Sequence, residues 1–324
     1  MYDIDESKEI INKAFIAINI GREPSGLYEP IAYALSVGGK RLRPALALMA
    51  CNLFTDKVEN AINAALGIEI FHNFTLLHDD IMDNASIRRG NPTVHAKWNN
   101  NTAILSGDAM MIKANQFIAK TPVEFLPAVL DVYNQVALQV CEGQQYDMNF
   151  EKQQIVFEED YLEMIRLKTA VLIGGAIKIG AIIGNASKAD ADHLYHFGEN
   201  LGLAFQLQDD LLDSFGDSKV FGKAIGGDII ANKKTFLLIN TLNTLSGDDL
   251  IELKKWTKAE EFDNNEKIEA VKNLFSKANV EHLTKERISK YLSKALEHLE
   301  KVSVKDDKKE ILKELCQSLT NRSK

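Results

Sequence analysis

All six prolines lie at or before Pro127, and none occurs from residue 128 to residue 324. Sheet-rich folds need frequent Pro and Gly turns, so a proline-free run of this length points to helices. The hydrophobic period agrees. In EDYLEMIRLKTAVLIGGAIKIGAII, from Glu159, apolar residues recur at three and four, and DDKKEILKELCQSL near the C-terminus repeats the pattern. Strictly alternating segments are scarce. The chain therefore reads as all-α. No low-complexity linker divides it, so residues 1–324 read as a single domain. Loops are marked by EPSG at Glu23, RRGNPT at Arg88, KTPVEF at Lys120 and the glycine-rich FGDSKVFGKAIGGD from Phe215. Beyond about Leu245 the sequence turns charged and amphipathic, as outer helices supporting a core would be.

Composition narrows the function. Hydrophobic residues make up 45% of the chain, enough for a large core, and the formal net charge is −8. A negative balance argues against nucleic-acid binding and against a basic membrane-binding surface. The most apolar stretch, AVLIGGAIKIGAIIG from Ala170, is broken by Lys178 and too short to span a bilayer. The acidic start MYDIDESKEI is no signal peptide, and three cysteines without metal spacing suit a reducing cytoplasm.

Two stretches are nearly alike: FTLLHDDIMD, residues 74–83, and FQLQDDLLD, residues 205–213. On a helix, Asp79 and Asp83 share a face, as do Asp209 and Asp213, while Asp80 and Asp210 turn toward its flank. Like charges at this spacing repel, and desolvating them beside Leu77 or Leu211 is costly. A divalent cation removes both objections. Magnesium takes oxygen ligands from one or two carboxylates, from water and from phosphate. One such cluster is consistent with a solvated helix face or a helix N-terminus; two in apolar settings favour metal. A calcium loop fails because Ile81 and Leu211 fall where oxygen ligands are needed.

Basic residues complete the pattern. Lys40, Arg41 and Arg43 lie in VGGKRLRPAL, and Arg88 and Arg89 in ASIRRGNPT directly after the first cluster. Arginine offers a bidentate grip on phosphate. Arg88 and Arg89 could neutralise the first cluster, but two arginines before a glycine suit a second anionic group better. Lys168, Lys223, Lys233 and Lys234 follow in RLKTA, FGK and GGDIIANKKT.

With these motifs in order, the chain resembles the trans-isoprenyl diphosphate synthases, the family of farnesyl and geranylgeranyl diphosphate synthases. GGKRLRP, the first DDxxD with its RRG, the GQ of CEGQQYD, the KT pair, FQxxDD, FGK and GDxxxNK run from Gly38 to Lys233. The resemblance implies one all-helical domain around a central apolar cavity, and a homodimer. It implies three magnesium ions per site, ligated by Asp79, Asp83 and Asp209, with Asp80, Asp210 and Asp213 holding waters or orienting the site. Arg88, Lys168 and Lys233 match residues gripping an allylic diphosphate, with Lys223 nearby. Lys40, Arg43, His72 and Arg89 match the isopentenyl diphosphate pocket. Thr169 and Gln206 match groups facing a carbocation, and Gln144 and Asp147 match supporting positions.

The implied reaction joins isopentenyl diphosphate to an allylic diphosphate. Product length is expected to depend on the helix before Asp79. Thr75, Phe71 and Ile68 lie on nearly the same face, about 6, 12 and 16 Å deeper at the rise of a helix. The family pattern instead stresses Phe74, which an ideal wheel sets on the far side. The resemblance favours geranylgeranyl diphosphate, then farnesyl diphosphate, then longer chains. A non-catalytic subunit of a heteromeric synthase is the alternative, although such subunits typically lack one or both aspartate clusters.

Overall fold

The computed structural model describes residues 1–216 and 225–320, with the side chains of 319 and 320 left aside. The all-α expectation holds. The first helices are α1 (Ile4–Ile16), α2 (Ser25–Ser36), α3 (Leu42–Asn52) and α4 (Glu59–Met82). A two-stranded antiparallel hairpin follows, β1 (Ile87–Arg88) and β2 (Asn91–Pro92), and then α5 (Val94–Lys97) and α6 (Asn100–Ile118). Next come α7 (Leu126–Lys152), α8 (Glu158–Ile165), a π-helical turn at Arg166–Ala170, α9 (Val171–Ile183) and α10 (Lys188–Phe215). The rest is helical again: α11 (Gly227–Ile230), α12 (Phe236–Thr244), α13 (Gly247–Lys258), α14 (Asn264–Lys277), α15 (Val280–Glu300) and α16 (Asp306–Thr320).

Three details differ from the reading of the sequence. RRGNPT is a hairpin rather than an irregular loop, because Arg89 and Gly90 both adopt positive φ and turn the chain tightly. The stretch from Phe215 to Asp228 is not loop throughout, since Gly227–Ile230 closes a helical turn. The apolar run from Glu159 is not one α-helix. The π turn interrupts it, and such turns are frequent at functional sites.

The chain forms two compact units. One comprises Met1–Gln135, Gly175–Tyr195 and Lys301–Ile311; the other comprises Val136–Gly174, His196–Glu300 and Leu312–Lys324. In the first, α4 packs on α6, α3 and α1, and its core includes Ile11, Leu46, Ile68 and Phe71. In the second, α12 packs on α8, α14 and α15 around Phe197, Leu207, Phe236 and Phe275. Among the described residues, no helix is long and apolar enough to cross a membrane.

Candidate active site

Each aspartate cluster sits at the C-terminal end of a long helix. Asp79 and Asp80 occupy the last turn of α4 and Asp83 is its C-cap; Asp209, Asp210 and Asp213 lie in the last two turns of α10. A helix C-terminus carries partial negative charge and favours cations. Neither helix supplies one, as neither has a basic residue in its last turn. This excludes the N-terminal-turn explanation for the acidic residues and makes both helix ends suited to a metal ion.

Within each cluster the middle aspartate is turned into the protein. Asp80 is 5% exposed and accepts a hydrogen bond from Arg88 Nε at 2.8 Å. Burial nevertheless raises its pKa. Asp210 is likewise 5% exposed; it accepts from the Tyr161 hydroxyl and, at 3.0 Å, from Gln206 Nε2. Asp79 and Asp209 are half-buried and Asp83 is exposed. The simple wheel left Asp80 and Asp210 on a flank; packing turns them into fully held anchors. Arg88 thus pairs with the first cluster through its Nε.

Around the first cluster, cations gather on a neutral histidine. Arg43 donates to His72 Nε2 at 3.2 Å, which leaves the imidazole proton on Nδ1. Burial, then Arg43, Arg89, Arg88 and Arg41, push the His72 pKa well down. A histidine that stays neutral among arginines keeps its surroundings suited to an anion. Arg89 donates to the Gly38 carbonyl, and a Cβ at Gly39 would lie 2.8 Å from its Nη1, so GGKR and RRG are one assembly. Lys40 is exposed at its edge. A small cavity lined by Tyr33, Asn73, Leu77, Asp80, Arg88 and Arg89 opens beside it.

Around the second cluster, the π turn sets the polar groups. Lys168 forms a 2.5 Å ion pair with Asp147 of α7. Thr169 Oγ1 donates to Gln206 Oε1 at 3.1 Å, so Thr169, Gln206, Asp210 and Tyr161 form one hydrogen-bonded chain. Gly143 explains the GQ motif. Its Cα lies against the backbone of the π turn, and a Cβ there would come within 2.7 Å of Lys168 Cα. Gln144 is buried next to it. Asp213 accepts from the Asp228 backbone N–H at 2.9 Å, tying the cluster to α11, and Lys233 is exposed just beyond. Lys223 lies outside the described residues.

Tyr161 and Asp228 were not singled out from the sequence. Tyr161 stands two turns before Lys168, and a buried tyrosine at that spacing is the signal that would have found it. Burial and the Asp228 charge raise the Asp210 carboxyl to about 7, against 3.8 when unstructured. Between those values the folded state binds more protons, so metal-free stability falls as pH rises, and the penalty is complete above about 7. Asp210→Asn removes it. The thermal midpoint of the variant relative to the parent is expected to be higher at pH 8 than at pH 5; equal differences at both would refute this.

The residues expected to govern product length form an aromatic row. Phe71 lies 5.5 Å from Phe74 and 5.7 Å from Tyr133 of α7, and Phe74 lies 4.8 Å from His78. His78 Nε2 is 3.2 Å from Ile104 O of α6, and Gly107 leaves room for its ring. Ile68 is fully buried below. Thr75 is half-buried, its hydroxyl donating to His72 O at 2.8 Å.

Among the described residues, no three acidic, histidine or cysteine side chains converge on one point. Hard carboxylates at two dipole-negative helix ends still fit magnesium, which retains waters and takes phosphate oxygens as further ligands.

Comparison with known proteins agrees with this chemistry. The family profile described as polyprenyl synthetase matches residues 24–275. The chain is 43% identical over 220 residues to a geranylgeranyl diphosphate synthase of Methanosarcina mazei, covering 67% of this chain and 68% of that one. It is 38% identical over 256 residues to a geranylfarnesyl diphosphate synthase of Natronomonas pharaonis, covering 73% and 75% respectively. A crystal structure of a geranylgeranyl pyrophosphate synthase superposes with a TM-score of 0.95 at 42% identity, covering 100% of both chains.

Proposed function

This chain belongs to the polyprenyl synthetase family and is a prenyltransferase, and we propose that it condenses isopentenyl diphosphate head-to-tail with an allylic diphosphate to give geranylgeranyl diphosphate. The observation that carries the reading is the placement of both aspartate clusters at helix C-termini, each with its middle carboxylate locked inward. The family is magnesium-dependent. Asp79, Asp83 and Asp209 would ligate magnesium, three ions per site, with Asp80, Asp210 and Asp213 orienting the ligands. When bound, magnesium would stabilise the negative charge that builds on the departing pyrophosphate.

The chain's own groups do the rest. Arg88, Lys168 and Lys233, with Lys223 near them, grip the allylic diphosphate. Lys40, Arg43, His72 and Arg89 hold isopentenyl diphosphate. As the allylic carbon–oxygen bond breaks, the Thr169 and Gln206 dipoles face the carbocation. The alkene of isopentenyl diphosphate forms the new carbon–carbon bond, and the proton lost passes to the released pyrophosphate. Asp147 holds Lys168, and Gln144 takes a supporting position beside Gly143. Aliphatic and aromatic walls exclude the water that would quench the cation.

The same reading takes residues 1–324 as one domain enclosing an apolar cavity, in a cytoplasmic homodimer. One family profile that runs across both compact units supports the single domain. An exposed apolar row on α6, comprising Ile104, Leu105, Met111 and Ile112, suits a second copy. Free cysteines, two of them buried, suit a reducing compartment.

The test is to incubate the purified chain alone with magnesium, isopentenyl diphosphate and each allylic starter, and to size the product. Geranylgeranyl diphosphate is expected. No condensation from any starter would overturn the reading in favour of a non-catalytic subunit. In the same assay Phe74→Ala is expected to lengthen the product by one or more isoprene units, since it opens the row between Phe71 and His78. Unchanged length would assign the floor to Phe71 or Ile68.

A further inference from the structure

Lys267 interrupts an apolar stripe. The buried positions of α14 are Lys267, Val271, Leu274 and Phe275, the spacing of a core-facing helix side, and its first member is a lysine with no exposed surface. Long lysines usually reach water with their ammonium group; this one does not. Its Nζ lies 3.9 Å from the centre of the Phe262 ring and donates to the Ile230 carbonyl at 3.2 Å. Among the described residues no carboxylate pairs with it, and burial lowers its pKa. A leucine or methionine would fill this volume without the cost of desolvating an amine. The donor is therefore the reason for a lysine here.

The acceptor says what the donor is for. Ile230 ends α11, and its carbonyl is one of the group a helix leaves unsatisfied at its C-terminus. At the other end, Asp213 accepts from the Asp228 N–H at 2.9 Å, and its carbonyl from the Gly226 N–H at 2.7 Å. Gly226 has φ +85°, and a Cβ there would meet Ile268 Cδ1 at 2.7 Å. Thus α14 holds the segment at both ends, through Ile268 at Gly226 and Lys267 at Ile230. The backbone then runs directly to Lys233, whose N–H donates to Asp228 O at 2.9 Å. A small cavity lined by Ser214, Asp228, Asn232 and Lys233 opens beside it.

We infer that Lys267 is a positioning residue that fixes the Asp228–Lys233 segment, and through it the grip on diphosphate. The inference rests on the proposed role of Lys233. Lys267→Met keeps the apolar volume and removes the donor. In the full chain, the Kd for pyrophosphate with magnesium and the KM for the allylic substrate are expected to rise about tenfold, as a misplaced binding group requires. Both kcat and the KM for isopentenyl diphosphate should stay within about twofold. Unchanged pyrophosphate affinity in a folded variant overturns the inference. So does a fall in kcat with a lower thermal midpoint and no change in KM, the mark of a merely structural residue. If Lys267→Met does not fold, Phe262→Leu decides, because it loosens the ammonium's seat and should weaken pyrophosphate binding in the same direction. A parent chain that binds pyrophosphate but condenses nothing refutes the proposed reaction and leaves Lys267 to be judged on binding. A parent that does not bind it overturns both.

Discussion

Asp79→Ala and Asp209→Ala are each expected to lower kcat/KM for condensation about a thousandfold, the scale on which loss of one electrostatic stabiliser of a transition state is felt. Both variants should keep the fold of the parent, since each removes one half-buried carboxylate at the end of a long helix. A lost activity with an intact fold is the signature of a residue that acts on its ligand. Removing Asp80 or Asp210 should also cost stability, because Arg88 and Tyr161 depend on them and their removal strands buried partners. Near-normal turnover of both outer-aspartate variants at saturating magnesium would sink the assignment of the clusters.

Glu69→Ala is expected to destabilise the protein by roughly 3–5 kcal/mol, the effect of breaking a buried pair from one side. Arg41 and Glu69 meet at 2.7 Å with side chains 8% and 3% exposed. Arg41 also donates to Leu35 O at 3.0 Å and lies 4.5 Å from the Phe15 ring, and Asn73 donates to the Glu69 carbonyl at 2.8 Å. Without Glu69 the guanidinium stays buried and uncompensated. A double replacement, Arg41→Met with Glu69→Leu, should recover much of the loss, since no charge is then stranded. Urea unfolding of the parent and the two variants checks this; a single-variant loss under about 1 kcal/mol would mean that water reaches the arginine.

Arg41 illustrates what could and could not be read in advance. It stands in GGKRLRP between two residues matched to phosphate binding, and nothing local separates it from them. Only the fold, by turning Arg41 at φ +47° into the base of α3, directs it inward to Glu69 twenty-eight residues on. The helices themselves were legible because 3.6-residue periodicity and absent prolines are local signals. So were the aspartate clusters, whose repetition is visible in one dimension. What escaped was contact between distant segments: Tyr161 on Asp210, Asp147 on Lys168, Lys267 on Ile230. Lys267 shows the limit well, since a charged residue in a charged amphipathic stretch has no local mark of burial. The charged run after Leu245 folds into helices, as its amphipathic pattern predicts, and one of its lysines is nonetheless core.

The π turn at Arg166–Ala170 has a bearing on how this gene product tolerates change. A π turn is an α-helix with one residue too many, so α8 and α9 are written in two phases that differ by a single position. Deleting one residue there would make a better helix and a worse protein. The backbone would heal, while Lys168 and Thr169 would swing about 100° away from Asp147 and Gln206. Regularity is what this segment has to avoid, and the extra residue keeps its two polar groups aimed.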